Sequence, residues 1–421
     1  MKKFLIKNEH LVDAINEFHF SVYSQLKGPD NLAYSPLRLY ILLVILQEGA
    51  RGITRSCLLE ALHWKYKSAR LTGSVGALIG SLQKEKTQRS DDKEIDLQFA
   101  RREGKLIDDF PENVKLHHSS VDDVSALLQW NVTIGNAIWL ASQFSVDPRY
   151  RDRIQRSLFS VMKSLDFQGD SERAAIEINA WVNDKTQGRI NSIVSPGLLN
   201  ENTRMVATST ILFAAPWHTS FKEDGPGIFK RFDGLEIKCK MISIDSPSAI
   251  GLRTDEFEAA ELPYRVYKGR RFSMTVILPK QPGRAAFIEC ENNLTRYWAQ
   301  FQKAKKHADS LKVTMPEFEV SADLDFKTMF VEMGLGLIFS FKADFTGIHR
   351  SEPLYVDAIK QKVKINVDRF GTVAAAATFG PARYGWHSRR FDHLLVDRPF
   401  LFIISDSQSG LILFAGKLVD L

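Results

Sequence analysis

This 421-residue chain contains the serine, histidine, cysteine and carboxylate residues that catalyse reactions in many enzymes, but they do not occur at the spacing of a known catalytic motif. The sequence lacks a Gly-x-Ser-x-Gly nucleophile motif, a Gly-x-x-x-x-Gly-Lys-Ser/Thr phosphate loop and a His-Glu-x-x-His metal motif. His387 and His393 lie close together in the chain, but no cysteine and no cluster of carboxylates stands near them, as a metal site would require. The sequence therefore predicts no enzyme activity, no metal site and no cofactor.

A more informative segment runs from residue 361 to residue 400. Val363, Ile365 and Val367 alternate with polar residues, which is typical of a half-buried strand. The chain continues as Gly371-Thr372-Val373-Ala374-Ala375-Ala376-Ala377-Thr378 and then as a loop rich in glycine, proline, arginine and aromatic residues. Four alanines usually favour a helix, but these have no cap and no long apolar neighbours.

Small side chains suit a segment that is exposed in one state and inserted into a sheet in another. Alternate residues of the segment would then slide beneath the neighbouring strands without steric obstruction: Thr372, Ala374, Ala376 and Thr378. A plain surface loop is the alternative interpretation of the same residues.

Helical patterns dominate the first half of the chain, and strand patterns dominate the second half. This order is typical of an α+β fold rather than of repeated β-α-β units. The apolar spacing predicts helices over residues 10–26, 36–49, 54–63, 147–164, 171–184 and 324–333. It predicts strands around residues 131–140, 211–213, 273–278, 312–320, 362–367, 394–404 and 411–416.

The sequence shows no internal repeat and no linker, so residues 1–421 are predicted to form a single domain. Residues 83–129 differ from the rest of the chain, because charges of both signs dominate there without sustained periodicity. This stretch is predicted to be a long polar insertion in that domain.

Composition places the chain among ordinary globular proteins, with 44% hydrophobic and 25% charged residues. Three scattered cysteines, Cys57, Cys239 and Cys290, are too few for a disulfide framework. The N-terminus has no signal-peptide core, and no apolar run reaches membrane-spanning length. A monomer in the cytoplasm or nucleocytoplasm, away from membranes, is therefore expected. The glycosylation sequons at Asn131 and Asn293 favour the alternative, an extracellular protein.

The net charge of +6 could attract a polyanion such as nucleic acid or a sulfated polysaccharide. Basic residues cluster at positions 101–105, 149–156 and 265–271. None of the three clusters has the regularly interleaved aromatic residues that a base-stacking surface needs, and a solvated basic face is the alternative.

Blocks of sequence in a fixed order carry a resemblance to a known family. They are Asn31-Leu32-Ala33-Tyr34-Ser35-Pro36, Asn179-Ala180-Trp181-Val182, Thr186-Gln187-Gly188-Arg189-Ile190, Glu261-Leu262-Pro263-Tyr264, Pro316-Glu317-Phe318, Ala343-Asp344-Phe345-Thr346-Gly347-Ile348, Asp397-Arg398-Pro399-Phe400 and Leu413-Phe414-Ala415-Gly416-Lys417. With these blocks the sequence resembles the serpin family, the serine protease inhibitors, over essentially its whole length. The resemblance implies three β-sheets, eight or nine helices and an exposed reactive-centre loop, here residues 371–393.

The resemblance also implies a mechanism in which the loop is bait for a serine or cysteine protease. The protease forms an acyl-enzyme with the loop, and the cleaved loop then inserts as a new strand into the main sheet and distorts the protease. Inhibitory members need a hinge of glycine, Thr or Ser, and then small residues, which this chain has in Gly371, Thr372, Ala374, Ala375, Ala376, Ala377 and Thr378. The rival hypothesis is a non-inhibitory member that acts as a binding module or a chaperone.

Several positions depart from the family pattern. The hinge normally follows an acidic residue, where this chain has Arg369 and Phe370. The family's shutter cluster beneath the main sheet keeps its first serine as Ser35. Its second serine, its asparagine and its histidine are replaced by Arg38, Ser209 and Gln361. The family's breach tryptophan, at the end of the sheet where the loop enters, corresponds to Trp217.

The reactive bond has several candidates. The family's usual spacing from Gly371 places it at Gly385-Trp386. Cleavage after Tyr384 would suit a chymotrypsin-like or cathepsin-like target, and cleavage after Arg383 would suit a trypsin-like target. Arg389 and Arg390 would also suit a trypsin-like protease if the loop is used further downstream.

Overall fold

The computed structural model describes residues 9–83, 131–195, 197–266, 269–305, 309–372 and 392–421. These residues contain nine α-helices, six of them before residue 200. They are α1 (Glu9–Gln25), α2 (Pro36–Gly49), α3 (Gly52–Ala61), α4 (Ser68–Gln83), α5 (Pro148–Leu158), α6 (Ser171–Lys185), α7 (Arg284–Asn292), α8 (Leu294–Ala304) and α9 (Lys327–Phe330). The helix count agrees with the predicted α+β class, which the arrangement of the strands confirms.

The strands of the described residues form two hydrogen-bonded networks. Their bounds are β1 (Leu32–Tyr34), β2 (Asn131–Ala141), β3 (Val161–Leu165), β4 (Met205–Pro216), β5 (Lys222–Lys230), β6 (Glu236–Arg253), β7 (Phe257–Pro263), β8 (Phe272–Pro279), β9 (Asp309–Pro316), β10 (Phe318–Asp325), β11 (Ala358–Val367), β12 (Gly371–Thr372), β13 (Asp392–Leu395), β14 (Phe400–Asp406) and β15 (Ile412–Leu418). The six-stranded network has the order β10-β11-β12-β4-β2-β3, and we call it the main sheet.

The nine-stranded network has the order β1-β15-β14-β8-β7-β6-β9-β13, with β5 also paired to β6. The register of β6 against β9 shifts between Asp245 and Ile250. The first part of β6 pairs with β5, and the part after the shift pairs with β7. Because the two halves of β6 pair with different strands, the network divides into two sheets. Together with the main sheet, the described residues therefore form three sheets.

Helix α2 lies in the core, and every one of its residues is buried. The sequence pattern predicted this helix because Leu37 to Leu46 is apolar nearly all round, and Pro36 at the first position has no N–H to leave unpaired. The helix contacts both β4 and β2 of the main sheet. The hydrogen bond from the Ser35 N–H to the Gln361 side chain places the start of the helix beneath β11 as well.

Four predicted elements end early or divide in two. One is the predicted strand 394–404, which is two strands, β13 and β14, separated by residues 396–399. The predicted helix 147–164 ends at Leu158, because Phe159 adopts a left-handed conformation (φ 50°) and Val161 begins β3. The predicted strand 312–320 is two strands, β9 and β10, separated at Glu317. The predicted helix 324–333 is regular only over α9 and continues as irregular helical turns around Gly334, whose φ is 85°.

Candidate functional site

The site that the resemblance points to is the gap between β4 and β11 of the main sheet. Residues 358–363 of β11 pair in parallel with residues 206–211 of β4. Further along, the two strands separate and β12 lies between them, with Thr372 opposite Ala215 on one side and Val367 on the other. The first two hinge residues therefore already occupy the open end of the gap.

Both residues of β12 fit this place closely. Thr372 is fully buried, and its Oγ1 is 2.6 Å from the hydroxyl oxygen of Tyr264. A Cβ atom on Gly371 would overlap the carbonyl oxygen of Ala215 and would lie 2.8 Å from the Cα of Pro216. Only glycine allows the chain to pass so close to the backbone of β4 at this point.

Trp217 holds the turn that leads into β12. Its indole N–H donates to the carbonyl of Asp368 at 2.9 Å, and its backbone N–H donates to the carbonyl of Phe370 at 2.9 Å. The indole stacks on the ring of Tyr264 with 4.4 Å between the ring centroids and an angle of 5° between the ring planes. The residue assigned by resemblance to the breach thus lies beside the hinge.

Asp368 shapes the same turn from within. Its Oδ1 accepts hydrogen bonds from the backbone N–H groups of Phe370 at 2.7 Å and Gly371 at 3.0 Å. Burial raises the pKa of this carboxyl group, whereas the two backbone hydrogen bonds lower it, and the net direction is upward.

Arg369, which stands near the position of the family's acidic residue, faces two carboxylates. Its guanidinium lies 3.3 Å from Glu223, and its backbone N–H donates to Glu317 at 3.3 Å. Lys240 lies 3.6 Å from Glu223 and 3.2 Å from Glu317. The basic residue is therefore accommodated by acidic neighbours and does not leave an unpaired charge beside the hinge.

The shutter positions lie further down the gap. Gln361 of β11 is the register partner of Ser209 of β4, which in turn pairs with Asn136 of β2. The side-chain amide of Gln361 accepts from the backbone N–H of Ser35 at 2.8 Å and donates to the Ser35 carbonyl at 3.2 Å. The Ser35 hydroxyl donates to the carbonyl of Leu413 at 2.6 Å. Gln361 therefore ties the start of α2 to β11.

The other shutter residues are not bonded in this way. Arg38, Ser209 and Asn136 are all buried, and their side-chain polar atoms have no hydrogen-bond partner among the described residues. Burial lowers the pKa of Arg38, because a charged guanidinium loses its hydration there. The predicted positions come together in space, but Arg38, Ser209 and Gln361 do not hydrogen-bond to one another.

The remaining predicted site residues lie outside the described residues, and their roles stay predictions. They are the hinge residues Ala374, Ala375, Ala376, Ala377 and Thr378, the reactive-bond candidates Arg383, Tyr384, Gly385 and Trp386, and all but the first residue of the polar insertion 83–129.

Two residues of the site had no role in the sequence analysis. Tyr264 belongs to one of the family blocks, but local spacing gives no sign of its contact with Thr372, because 108 positions separate the two residues. Asp368 follows β11 directly and accepts from the N–H groups two and three residues further along. An aspartate at the end of a strand is a recognisable signal for such a turn.

The predicted basic clusters have different surroundings. On α5, Arg149, Arg151, Arg153 and Arg156 are all exposed. The cluster at 265–271 contributes less surface charge, because Arg270 is buried and pairs with Asp406 at 3.1 Å. The cluster at 101–105 lies outside the described residues.

In the part of the chain that the structure describes, no group of three or more His, Cys, Asp and Glu side chains could hold a metal ion. Within the same residues, no helix has the combined length and apolarity that crossing a membrane requires.

Comparisons with known proteins agree with this geometry. The family model described as Serpin (serine protease inhibitor) matches residues 13–421. An uncharacterized serpin-like protein of Thermococcus kodakarensis is 28% identical, covering 97% of this chain and 85% of its own length. The structure of Serpin48 from the insect Tenebrio molitor superposes with a TM-score of 0.77 at 23% identity, covering 98% of this chain and 99% of its own.

Human thyroxine-binding globulin, in complex with thyroxine, superposes with a TM-score of 0.76 at 19% identity and covers 99% of each chain. At this identity the likeness shows the fold alone. The family match spans nearly the whole chain, and the chain therefore belongs to the serpin family. Serpins are generally protease inhibitors, although some members are not inhibitory.

Proposed function

We propose that this protein is a suicide-substrate inhibitor that traps a serine or cysteine protease by inserting its cleaved reactive loop between β4 and β11. The observation that carries the proposal is the position of β12. Thr372 is paired to both strands at the open end of the gap, so insertion has its starting point in the uncleaved protein.

The register of β12 predicts where the rest of the hinge would go. Because β12 runs antiparallel to both neighbours, each further loop residue would pair with the preceding residue of β4 and of β11. Ala374 would then lie opposite Phe213 and Ile365, and Thr378 would lie opposite Ser209 and Gln361. The hinge would thus span the distance from its present position to the shutter.

The alternation of burial explains the small side chains. On β11 the residues at positions 361, 363, 365 and 367 are buried, and those between them are partly exposed. Buried Thr372 shares the row of Val367, so Thr372, Ala374, Ala376 and Thr378 would face the core after insertion. Larger side chains at these positions would have to be packed between α2 and the sheet, whereas threonine and alanine add little volume.

Until the acyl-enzyme forms, all of the bond-making and bond-breaking steps are carried out by the protease. The protease nucleophile attacks the carbonyl of the reactive bond, the amine of the next residue leaves, and an ester or thioester joins the loop to the enzyme. The inhibitor then contributes a conformational change. Loop insertion would carry the bound protease along the sheet before water can attack the acyl group, and no catalytic residue or cofactor of this chain is needed.

The reactive bond is proposed at Tyr384-Gly385 or at Gly385-Trp386, with Arg383 as the next candidate. Tyr384 would select chymotrypsin-like or cathepsin-like proteases, because its aromatic ring can fill an apolar specificity pocket. Arg383 would select trypsin-like enzymes. The cytoplasmic or nucleocytoplasmic location of the encounter remains a prediction.

The test is to mix the full-length protein with trypsin, chymotrypsin, elastase and cathepsin L separately, and to analyse each mixture on denaturing gels. A protease–inhibitor complex that survives denaturation is the expected result with at least one of them. The mass of the released C-terminal peptide then identifies the cleaved bond. Complete cleavage of the loop by every protease without a trapped complex would refute the proposal.

A matched pair of variants tests insertion itself. Ala374→Arg would place a charged side chain on the inward face, whereas Ala375→Arg would place the same side chain on the outward face one residue later. We expect Ala374→Arg to be cleaved as a substrate with little complex, and Ala375→Arg to retain trapping. Equal trapping by both variants would contradict the register predicted from β12.

The rival function is a binding module or chaperone, since thyroxine-binding globulin, which shares this fold, is a non-inhibitory serpin. The unpartnered Arg38 in the shutter favours it, because a buried charge could hinder opening of the sheet. The exposed arginines of α5 would then be the place to seek a polyanionic partner. Cleavage without trapping, together with salt-sensitive binding of heparin or RNA, would support this function.

A further inference from the structure

Arg38 is a fully buried cation without a counter-charge among the described residues. Its exposed fraction is 0%, and all three guanidinium nitrogens lack a hydrogen-bond partner in that part of the chain. Burial of an unpaired charge is strongly unfavourable, so native proteins almost always give such a group an anion or a set of acceptors.

The buried acidic side chains do not provide that anion, because each is already engaged. Glu48 accepts from Thr72 at 2.6 Å and pairs with Arg153. The three others pair with cations of their own: Glu261 with Lys305, Glu291 with Lys417, and Asp406 with Arg270. No buried carboxylate of the described residues is left for Arg38.

A second positive feature lies at the same place. Ser35 is the N-cap residue of α2, but its hydroxyl donates to Leu413 and does not cap the helix. At the N-terminus of this buried, 14-residue helix, Pro36 has no N–H and the N–H of Arg38 donates to the Ser35 carbonyl at 3.2 Å. The N–H of Leu37 has no side-chain acceptor among the described residues, and the helix dipole makes this end positive. Long side chains in a helix point back toward its N-terminus, which directs the guanidinium of Arg38 to this end.

The sheet above this end offers further unpaired polar groups. Gln361 is hydrogen-bonded to Ser35, so the row of register partners that contains Gln361 crosses the sheet at the start of the helix. The next residues in that row are Ser209 and Asn136, whose hydroxyl and amide groups have no partner among the described residues. A hydroxyl and an amide can both donate to an anion.

We propose that Arg38 and the N-terminus of α2 form a binding site for a small monatomic anion such as chloride, completed by Ser209 and Asn136. The complete burial of Arg38 favours a small ion that has shed its water over a bulky oxyanion. Such a ligand binds the closed sheet and stabilises the native protein according to its concentration. Anion binding at this site does not depend on protease inhibition.

The first test measures the thermal midpoint of the full-length native protein in sodium chloride and in sodium gluconate at equal ionic strength. We expect the midpoint to rise with chloride concentration until it saturates. Arg38→Met should abolish this dependence, and the exposed Arg149→Met should keep it. A chloride dependence that is the same in Arg38→Met and in the wild type would overturn the proposal.

Arg38→Met is expected to fold, because an apolar side chain of similar length often replaces a buried charge without loss of stability. The second test uses only the wild type, so it decides the matter if the variant does not fold. Crystals grown in sodium bromide are expected to show an anomalous peak between Arg38 and the start of α2. Absence of that peak would refute the site.

Discussion

The two ends of the gap between β4 and β11 differ in how their polar groups are paired. At the hinge end, Thr372 bonds to Tyr264, Trp217 bonds to the turn, and Asp368 accepts two backbone N–H groups. At the shutter, Arg38 and Ser209 have no partner among the described residues. A buried polar group that lacks a hydrogen bond costs about 1–3 kcal/mol.

The polar groups of the native fold are therefore paired by hydrogen bonds at the hinge end and partly unpaired at the shutter. The hinge end holds β12 in a defined register, so the proposed entry of the loop would begin from a strand that is already paired. The shutter contains groups that would gain partners if an anion bound or if the hydroxyl of Thr378 arrived by insertion. The proposed insertion would therefore gain hydrogen bonds at the shutter only when no anion is bound there, while the hinge end sets the register of the inserted strand.

The largest effect is expected for Gly371→Ala. The added methyl group would overlap the backbone of β4, so β12 should leave the gap at a cost of about 1–3 kcal/mol. Amide hydrogen exchange at Thr372 and the fluorescence of Trp217 should both report this loss. Gly73→Ala is the matched control, because a Cβ there would meet no atom within 4 Å. Unchanged exchange at Thr372 in Gly371→Ala would show that the hinge is not held as described.

The second prediction compares the same substitution at two shutter serines. Ser35→Ala removes the buried hydrogen bond to Leu413 and should lower the thermal midpoint, at a cost of about 1–2 kcal/mol. Ser209→Ala removes a hydroxyl that has no partner among the described residues, so its midpoint should be equal or slightly higher. Both midpoints are measured in gluconate, so that no chloride fills the shutter, and at one scan rate, so that the two values can be compared even where unfolding is irreversible. Equal losses would mean that the Ser209 hydroxyl is bonded after all.

Sequence reasoning predicted those parts of the site that depend on local pattern. The start of α2 was evident from Ser35-Pro36, and the alternating strand before Gly371 was evident from Val363, Ile365 and Val367. The closeness of Ser35 to Gln361 came only from the family resemblance, because 326 positions separate the two residues. Nothing in the local pattern indicated that Arg38 would be buried without a partner.

Helices α4, α7 and α8 are absent from the sequence prediction, and α4 and α8 were missed for different reasons. Helix α4 contains three glycines, which normally weaken a helix, but Gly76 lets α4 approach the backbone of α5 at Ser157. This reason becomes visible only in the packed structure. Helix α8 is different, because its buried residues Leu294, Tyr297, Trp298 and Phe301 have the spacing of an amphipathic helix, and this signal was available in the sequence.

A third prediction measures the contact between Tyr264 and Thr372. Tyr264→Phe and Thr372→Val each remove one hydroxyl of a buried pair and should each destabilise the native protein by about 1 kcal/mol. The double variant should cost less than the sum, because the second change no longer breaks a hydrogen bond. The thermal midpoints of the four proteins test this coupling. Additive losses would show that the two hydroxyls do not support each other.

The smallest effect is a pH dependence at the hinge turn. The pKa of Asp368 is raised in the folded protein by burial, so its contribution to stability is present below the unfolded pKa and is lost as the pH rises through the folded pKa. Asp368→Asn keeps an oxygen acceptor for Phe370 and Gly371 but carries no charge. The thermal midpoint of the variant minus that of the wild type should therefore be larger at pH 7 than at pH 4. The effect is small because the two backbone hydrogen bonds and Arg369 offset part of the burial. If the midpoints of Asp368→Asn and the wild type differ by the same amount at both pH values, Asp368 does not cause a pH dependence of stability.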